Sequence, residues 1–308
     1  MALVFLTPLK KLKKSGTKQK TKTTKFAMVL NSKWNDYELI DAGGSKKLER
    51  WGEVITIRPE VNAYFSAKKP LSAWRKHADW EFLENGKQKA GKWIPLKKNA
   101  QKSWVFSHEA LKFHLKLTKF KHVGLFPEQE DNWRFIENHL KKGDRFLNLF
   151  AYTGAASIFA KSCGADVIHV DAVKQLITWA KENMLSSGLE GIRWVHDDAF
   201  KFAKRCEKRG QKFDFIIMDP PAFGIGANKE RWKIEDKLQE LLSTANTALA
   251  SKGRLILNTY TPKLTKSDLQ RLTKTVFSND NVSIEELWRM TTTGKKLHFG
   301  IVVRVEKR

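Results

Sequence analysis

The sequence is poor in cysteine and in acid, and it lacks several common phosphate and metal signatures. Only Cys163 and Cys206 occur in 308 residues, so no disulfide framework staples the fold and a reducing compartment is indicated. Neither a CxxC nor an HExxH pattern is present, and no metal site is expected. There is no GxGxxG turn, which argues against a nicotinamide enzyme. There is no GxxxxGK followed by Ser or Thr, which argues against an NTPase. The longest uncharged apolar stretch, 146–160, is too short to span a bilayer and carries Asn148, Thr153 and Ser157. Acidic residues number 33 against 57 Lys and Arg, a formal net charge of +24, and the first acid is Asp36. Such an excess does not specify a fold; it indicates a polyanionic partner, and with no membrane segment that partner is expected to be nucleic acid.

The chain that remains divides into three by composition. Residues 1–28, rich in Lys, read as a basic disordered tail able to touch phosphates. Targeting to an organelle is the lesser reading of this tail, because the charges follow the apolar Met1–Leu9 and Arg and Ser are scarce; a cytoplasmic protein is expected. Residues 29–120 read as a small β-rich domain, with strands at Tyr37–Gly44 and Glu53–Pro59 across a Gly-rich turn. Within it Trp74, Trp80, Trp93 and Trp104 lie among Lys68, Lys69, Arg75, Lys76, Lys87, Lys89, Lys92, Lys97 and Lys98. That interleaving suits base stacking with phosphate neutralisation, or equally a Trp core under solvated lysines.

From 121 to 308 the pattern alternates strictly. Strands are expected at 146–150, 167–170, 192–195, 213–218 and 254–258, separated by helices at 173–187, 199–209 and 231–250. A helix at 131–141 precedes them, with Trp133, Ile136 and Leu140 on its apolar face, and a helix at 267–277 follows. Strands at 282–289 and 297–305 close the chain as an antiparallel edge hairpin. The fold class is therefore α/β: a Rossmann-like, doubly wound, mostly parallel sheet.

In such a sheet ligands bind beyond the carboxyl ends of the strands, near the switch point. Four ends carry polar residues. The first is Tyr152-Thr153-Gly154, a tight turn between a buried strand and a helix N-terminus, where Gly154 lets a ligand approach the backbone. The second is Asp171, a carboxylate able to accept from both hydroxyls of a ribose, or else a helix cap. The third is Asp197-Asp198-Ala199-Phe200, suited to an adenine amino group beside an apolar wall, or again to a cap. The fourth, Asp219-Pro-Pro-Ala-Phe-Gly224, is the most specific: paired prolines remove donors and leave carbonyls outward, so Asp219 and the Pro220 carbonyl can hold a planar amine while Phe223 stacks on it.

Together these residues resemble the class I S-adenosylmethionine-dependent methyltransferases, and within them the group related to large-subunit rRNA methyltransferases. The likeness runs from about Tyr37 to the C-terminus. It rests on Asn148-Leu-Phe-Ala-Tyr-Thr-Gly154, His169-Val-Asp-Ala172, Glu182-Asn183, Asp198-Ala199 and Asp219-Pro-Pro-Ala-Phe-Gly224, with His122-Val-Gly-Leu-Phe-Pro-Glu-Gln129 ahead of the domain. The resemblance implies S-adenosylmethionine as cofactor, held by Gln129, Phe150, Tyr152, Thr153, Gly154, Asp171, Asp198, Ala199 and Asp219, with Gln129 closing over its methionine part. It implies an RNA substrate, rRNA or a ribosomal precursor, with Asp219, Pro220 and Phe223 at the reacting base. Three departures stand out: the N-terminal part lacks the usual RNA-binding module, Phe223 sits one step later than the aromatic of amino-group methylases, and Asn258-Thr-Tyr-Thr261 has no cysteine where cytosine-C5 enzymes have one. Transfer to a nitrogen, or another atom that is intrinsically nucleophilic, is therefore expected without a covalent cysteine adduct. A methyltransferase for protein or small molecules, and a non-catalytic RNA-binding assembly factor, are the alternatives.

Overall fold

A computed structural model describes residues 29–30, 34, 36–86, 90–225 and 231–308. The basic arm 1–28 lies outside the described residues, as do Lys87 and Lys89. After β1 (Val29–Leu30) come β2 (Tyr37–Gly43), β3 (Lys46–Trp51), β4 (Val54–Pro59), α1 (Leu71–His77), β5 (Trp80–Glu84) and β6 (Gly91–Pro95). Strands β2 to β6 form one sheet in chain order, antiparallel except for the β4–β5 pair. A ribbon of β7 (Ser103–His108) and β8 (Leu111–Lys116) follows.

The tryptophans of this region are walls of a core and not a base-stacking surface. Trp74, Trp80 and Trp104 are buried, and Trp93 is half-buried with its ring edge-on to Phe82 at 5.1 Å. Two of the indole N–H groups are spent inside: Trp74 Nε1 donates to Asp41 at 3.2 Å and Trp80 Nε1 to the Gln101 carbonyl at 2.9 Å. An indole whose one donor is satisfied has a large apolar area to bury, and burial wins over waiting for a base. The interleaved cations Lys68, Lys69, Lys76, Lys92 and Lys98 are exposed.

The second half is built on α2 (Glu130–His139), β9 (Arg145–Leu149), α3 (Ala155–Ser162), β10 (Asp166–Asp171), α4 (Lys174–Ser186), β11 (Arg193–His196), α5 (Ala199–Lys208) and β12 (Phe213–Met218). Then come β13 (Phe223–Ile225), β14 (Arg231–Lys233), α6 (Ile234–Ala248), β15 (Leu249–Thr259), α7 (Lys266–Val276), β16 (Asn281–Met290) and β17 (Lys296–Glu306). The sheet order is β1-β16-β17-β15-β12-β9-β10-β11. Strands β9, β10, β11, β12 and β15 run parallel, and β17 is antiparallel to both neighbours. The closing hairpin is antiparallel as expected, with β1 laid outside it in parallel to β16.

Because β10 and β11 build to one side of β9 and β12 returns to the other, the switch point lies between β9 and β12. Both are apolar runs buried on each face, RFLNL and FDFIIM, as a central parallel strand requires. Side chains of α5, α6 and α7 fill one face; α2, α3 and α4 fill the other. That second face also takes the N-terminal aromatics: Trp34, Tyr37, Phe106 and Phe113 share one core with Trp133 and Phe159. Trp133 stacks on Phe159 at 4.9 Å and 14°, a contact worth about 0.5–1.5 kcal/mol beyond its buried area.

One helix begins later than its pattern predicts. Arg231–Lys233 pairs with Phe223–Ile225 as a short ribbon, and α6 starts at Ile234. Trp232 explains the difference: its Nε1 donates to the Pro221 carbonyl at 2.6 Å while its ring packs 5.3 Å from Phe150 and 6.0 Å from Phe200. Three residues are drawn onto the rim of the sheet before the helix can begin.

Candidate active site

At the carboxyl end of β9 the backbone turns three times through the left-handed region, at Phe150 (φ 58°), Tyr152 (φ 52°) and Gly154 (φ 85°). Non-glycine residues hold such angles only where their surroundings force them. Here the surroundings do so from three sides. The Asp171 carboxylate accepts from the Tyr152 amide at 2.8 Å and from the Val173 amide at 2.8 Å. Asn183 Nδ2 donates to the Thr153 carbonyl at 3.0 Å, while Asn183 Oδ1 accepts from the His114 amide of β8 at 2.7 Å. The Thr153 hydroxyl donates to the Gly124 carbonyl. Gly154 is required by packing as well as by its φ. A Cβ there would lie 2.9 Å from the Ala180 Cβ on α4 and 3.4 Å from the His169 ring. Beneath it, Asn148 donates to Ser157 at 2.9 Å and Ser157 shares a hydrogen bond with His169 at 3.1 Å, the imidazole being held neutral by burial, which lowers its pKa to about 3.

The turn forms one wall of a narrow cavity of about 50 Å³ between β9, β12 and the segment before α2. Gln129, Phe150, Tyr152, Thr153, Gly154 and Asp219 all line it, so six of the residues singled out from the sequence meet at one place. Asp171, Asp198, Ala199, Pro220 and Phe223 do not line it. Asp171 stands behind the turn and supports it. Asp198 caps α5, its carboxylate accepting from the Lys201 amide at 2.8 Å, and Ala199 is buried as the first helical residue. Pro220 is buried, whereas Phe223 is 54% exposed on the short ribbon. Two carbonyls of this loop are held by neighbours: that of Pro221 accepts from Trp232 and that of Ala222 from the Ile234 amide.

Asp219 sits against polar groups from two other segments, that of Glu128 and Gln129 and that of Tyr260. Gln129 Nε2 donates to its Oδ2 at 3.2 Å and to the Tyr260 hydroxyl, and that hydroxyl lies 3.4 Å from the same carboxylate oxygen. Burial, with the neighbouring Glu128 carboxyl adding to it and Tyr260 opposing it, pushes Asp219 up to about 8. The orientation of Gln129 is dictated from behind: its Oε1 accepts from Asn132 at 2.7 Å and from Asn258 at 3.1 Å, and Arg304 donates to Asn132 Oδ1 at 2.9 Å. With its oxygen so engaged, the Gln129 amide can offer Asp219 only its N–H face. Asn132, Asn258 and Tyr260 were not singled out from the sequence as site residues. The rule about polar groups at the carboxyl end of a buried strand, applied to β15, points to Asn258 and Tyr260; nothing comparable marks Asn132.

A family model described as "S-adenosylmethionine-dependent methyltransferase" matches residues 82–260, more than half of the chain. The chain belongs to the S-adenosylmethionine-dependent methyltransferases. S-adenosylmethionine is therefore the cofactor of this methyltransferase family member. Its fold is similar to that of the "SAM Dependent Methyltransferase from Agrobacterium tumefaciens", at a TM-score of 0.85 and 34% identity, covering 91% of this chain and 93% of that one. It is 34% identical over 180 residues to a "Ribosomal RNA large subunit methyltransferase K/L" of Shewanella sp. (strain W3-18-1), covering 56% of this chain and 25% of that protein. It is 30% identical over 199 residues to a "Ribosomal RNA large subunit methyltransferase K" of Neisseria meningitidis serogroup B, covering 63% of this chain and 55% of that protein. The methyltransferase thus spans a quarter of the first relative and about half of the second. Among the described residues no helix is long and apolar enough to cross a membrane, and no His, Cys, Asp and Glu side chains group as metal ligands.

Proposed function

We propose that this methyltransferase acts on a base in RNA, with large-subunit ribosomal RNA as its substrate and the cytoplasm as its location. The printed names of the relatives support that substrate, and so does a net charge of +24. The observation that carries the reading is Asp219. A carboxyl pushed up to about 8, followed directly by paired prolines and four residues ahead of the exposed Phe223, suits a planar base that must be both hydrogen-bonded and stacked.

The residues around the cavity fit S-adenosylmethionine. Its floor of Leu125, Phe126, Trp133 and Ile217 is apolar, and Gly154 leaves the turn bare. Asp171 is buried and its carboxyl is raised by that burial, the two amide donors offsetting it only in part, so ribose hydroxyls would complete its hydrogen bonding. In this reading Tyr152, Thr153 and Gly154 present backbone to the cofactor, Phe150 walls it, Asp198 and Ala199 meet its base, and Gln129 meets its methionine part. When bound, the cofactor supplies a methyl group that is already electrophilic on its sulfonium. The chain's own residues then have to align and deprotonate. Asp219 and the Pro220 carbonyl orient the incoming nucleophile, Asp219 accepts its proton, and Phe223 stacks on the base. A base splayed from a loop or bulge reaches such a site most cheaply.

The test is transfer of labelled methyl from S-adenosylmethionine to large-subunit rRNA, followed by mass-spectrometric nucleoside analysis. A single methylated nucleoside, lost in Asp219→Ala, is expected. Label appearing only in protein or small molecules, or binding of RNA without any transfer, would replace this reading with one of the alternatives.

A further inference from the structure

A second cavity, of about 230 Å³, opens between the loop after β4 and the closing hairpin, and nothing in the methyl-transfer site uses it. Tyr64, Phe65, Trp288 and His298 supply its rings, with Asn62 and Glu286 among its polar groups. Trp288 and His298 pair directly across the hairpin with ring centroids 4.8 Å apart, and Tyr64 is 85% exposed. The walls are built rather than incidental: Asn62 Nδ2 donates to the His298 carbonyl at 2.9 Å and Trp288 Nε1 to Glu286 at 3.0 Å. His298 Nε2 is buried and, among the described residues, has no partner. Cations stand beside the rings, Lys296 lining the cavity and the Lys295 ammonium lying 6.0 Å from the Phe65 ring.

Position gives this cavity its meaning. Thr259, the last residue of β15, pairs with Ile301, so His298 lies beyond the carboxyl end of β15, at the edge of the sheet that also carries Asp219. Gly300 presses so closely under Tyr260 that a Cβ would lie 2.3 Å from the Thr259 carbonyl and 3.2 Å from the Tyr260 ring. Tyr260 in turn reaches Asp219 at 3.4 Å. Along the hairpin, His298 of the second cavity is two residues from Gly300, which packs on Tyr260, the residue that reaches Asp219.

We infer that this second cavity is a subsite for an unpaired nucleotide next to the target in the RNA strand, its base stacked among Tyr64, Trp288 and His298 and its phosphate met by Lys295 and Lys296. Aromatic faces with adjoining cations are what single-stranded nucleic acid takes up without regard to sequence. A dry cavity of about 150 Å³ already holds one benzene ring, so a volume of about 230 Å³ has room for a single base. A strand whose target base enters beside Asp219 would carry its neighbour across Tyr260 to this place.

The inference rests on the RNA reading, and the experiment separates the two. Steady-state methyl transfer to an rRNA fragment is compared for wild type, Tyr64→Ala and Lys296→Ala, with S-adenosylmethionine affinity by calorimetry alongside. The same fragment carrying 4-thiouridine is photo-crosslinked and the adducted peptide mapped. Tyr64→Ala is expected to raise KM for RNA by about fivefold or more, the loss of one stacked base, with kcat and cofactor affinity unchanged. Lys296→Ala should raise KM at physiological salt, and the crosslink should fall on the Tyr64 or Trp288 peptide. An unchanged KM in both variants, or a crosslink confined to other peptides, overturns the subsite while leaving the RNA reading intact. A wild-type protein that leaves RNA unlabelled overturns both.

Discussion

Gln129 Nε2 lies 3.2 Å from Oδ2 of Asp219, although Gln129 belongs to the segment before the sheet and Asp219 to its centre. That bond ties the linker from the N-terminal region to the switch point, and Asn132 and Asn258 fix its polarity. Replacing Gln129 with Leu leaves two buried amides and a buried carboxyl short of partners. The expected cost is about 1–3 kcal/mol of stability, with methyl transfer falling further than stability does. Denaturant melts and single-turnover rates on one preparation check it; unchanged rates in a destabilised protein would confine Gln129 to a structural role.

Asp219 gives the protein a pH signature. Its carboxyl is raised from 3.8 to about 8 by burial and by Glu128, so the folded state holds a proton that the unfolded state releases near pH 4. For a raised group the stabilising contribution is complete below the unfolded pKa and is lost as pH rises towards the folded one. The free protein should therefore lose stability between about pH 4 and pH 8 by way of this residue. Asp219→Asn should flatten that part of the profile and raise Tm at pH 8 while abolishing transfer. In wild type, transfer limited by carboxylate should rise with pH towards 8, a cationic cofactor drawing the midpoint lower. Parallel melting curves of the two proteins across this range decide it, and identical slopes would show that Asp219 is ionised throughout.

Much of this site is legible in the chain because a parallel strand buried on both faces must be an apolar run. Phe213–Met218 and Arg145–Leu149 announce themselves, and whatever polar residue ends them lies at the sheet's carboxyl edge. What escaped detection depends on pairs remote in sequence. Asn132 matters because its amide meets Asn258, and no local pattern encodes that meeting. Trp74 and Trp80 read as base-stacking or core with equal ease, since the deciding fact is a partner for the indole N–H, at Asp41 and Gln101 respectively. The start of α6 is hidden in the sequence for the same reason: Trp232 answers to Phe150 and Pro221, not to its own helix. Gly154, expected to be bare for a ligand's sake, is also bare because α4 leaves no room for a Cβ.

Asp171 has two duties that a pair of variants can separate. Its oxygens hold the Tyr152 and Val173 amides and, as proposed, the ribose. Asp171→Asn keeps one acceptor and Asp171→Ala keeps none. Both should weaken S-adenosylmethionine binding by about 1.5–3 kcal/mol, with Ala also lowering Tm through the freed amides. Calorimetry with thermal melts measures the two effects. Weakened Tm with unchanged cofactor affinity would leave Asp171 as a turn support alone.

The last prediction concerns covalent chemistry. Methylating a pyrimidine at C5 calls for a thiolate to add at C6, and that thiolate must face the cofactor's methyl from a strand end. Cys163 caps the far end of α3 with its Sγ 3.3 Å from the Phe159 carbonyl, and Cys206 is buried on α5. Burial raises both thiols above their ordinary value, the opposite of an activated nucleophile. Neither lines the cavity around Asp219, and the β15 end offers Asn258, Thr259 and Tyr260 instead. The double variant Cys163→Ala, Cys206→Ala should therefore retain methyl transfer, with a modest loss of Tm from the cavity left at Cys206. RNA containing 5-fluorocytidine should leave wild type unmodified on denaturing gels. A denaturation-resistant complex that disappears with either cysteine would make the reaction a C5 methylation after all, and would require α3 or α5 to move its thiol some distance to the sheet edge.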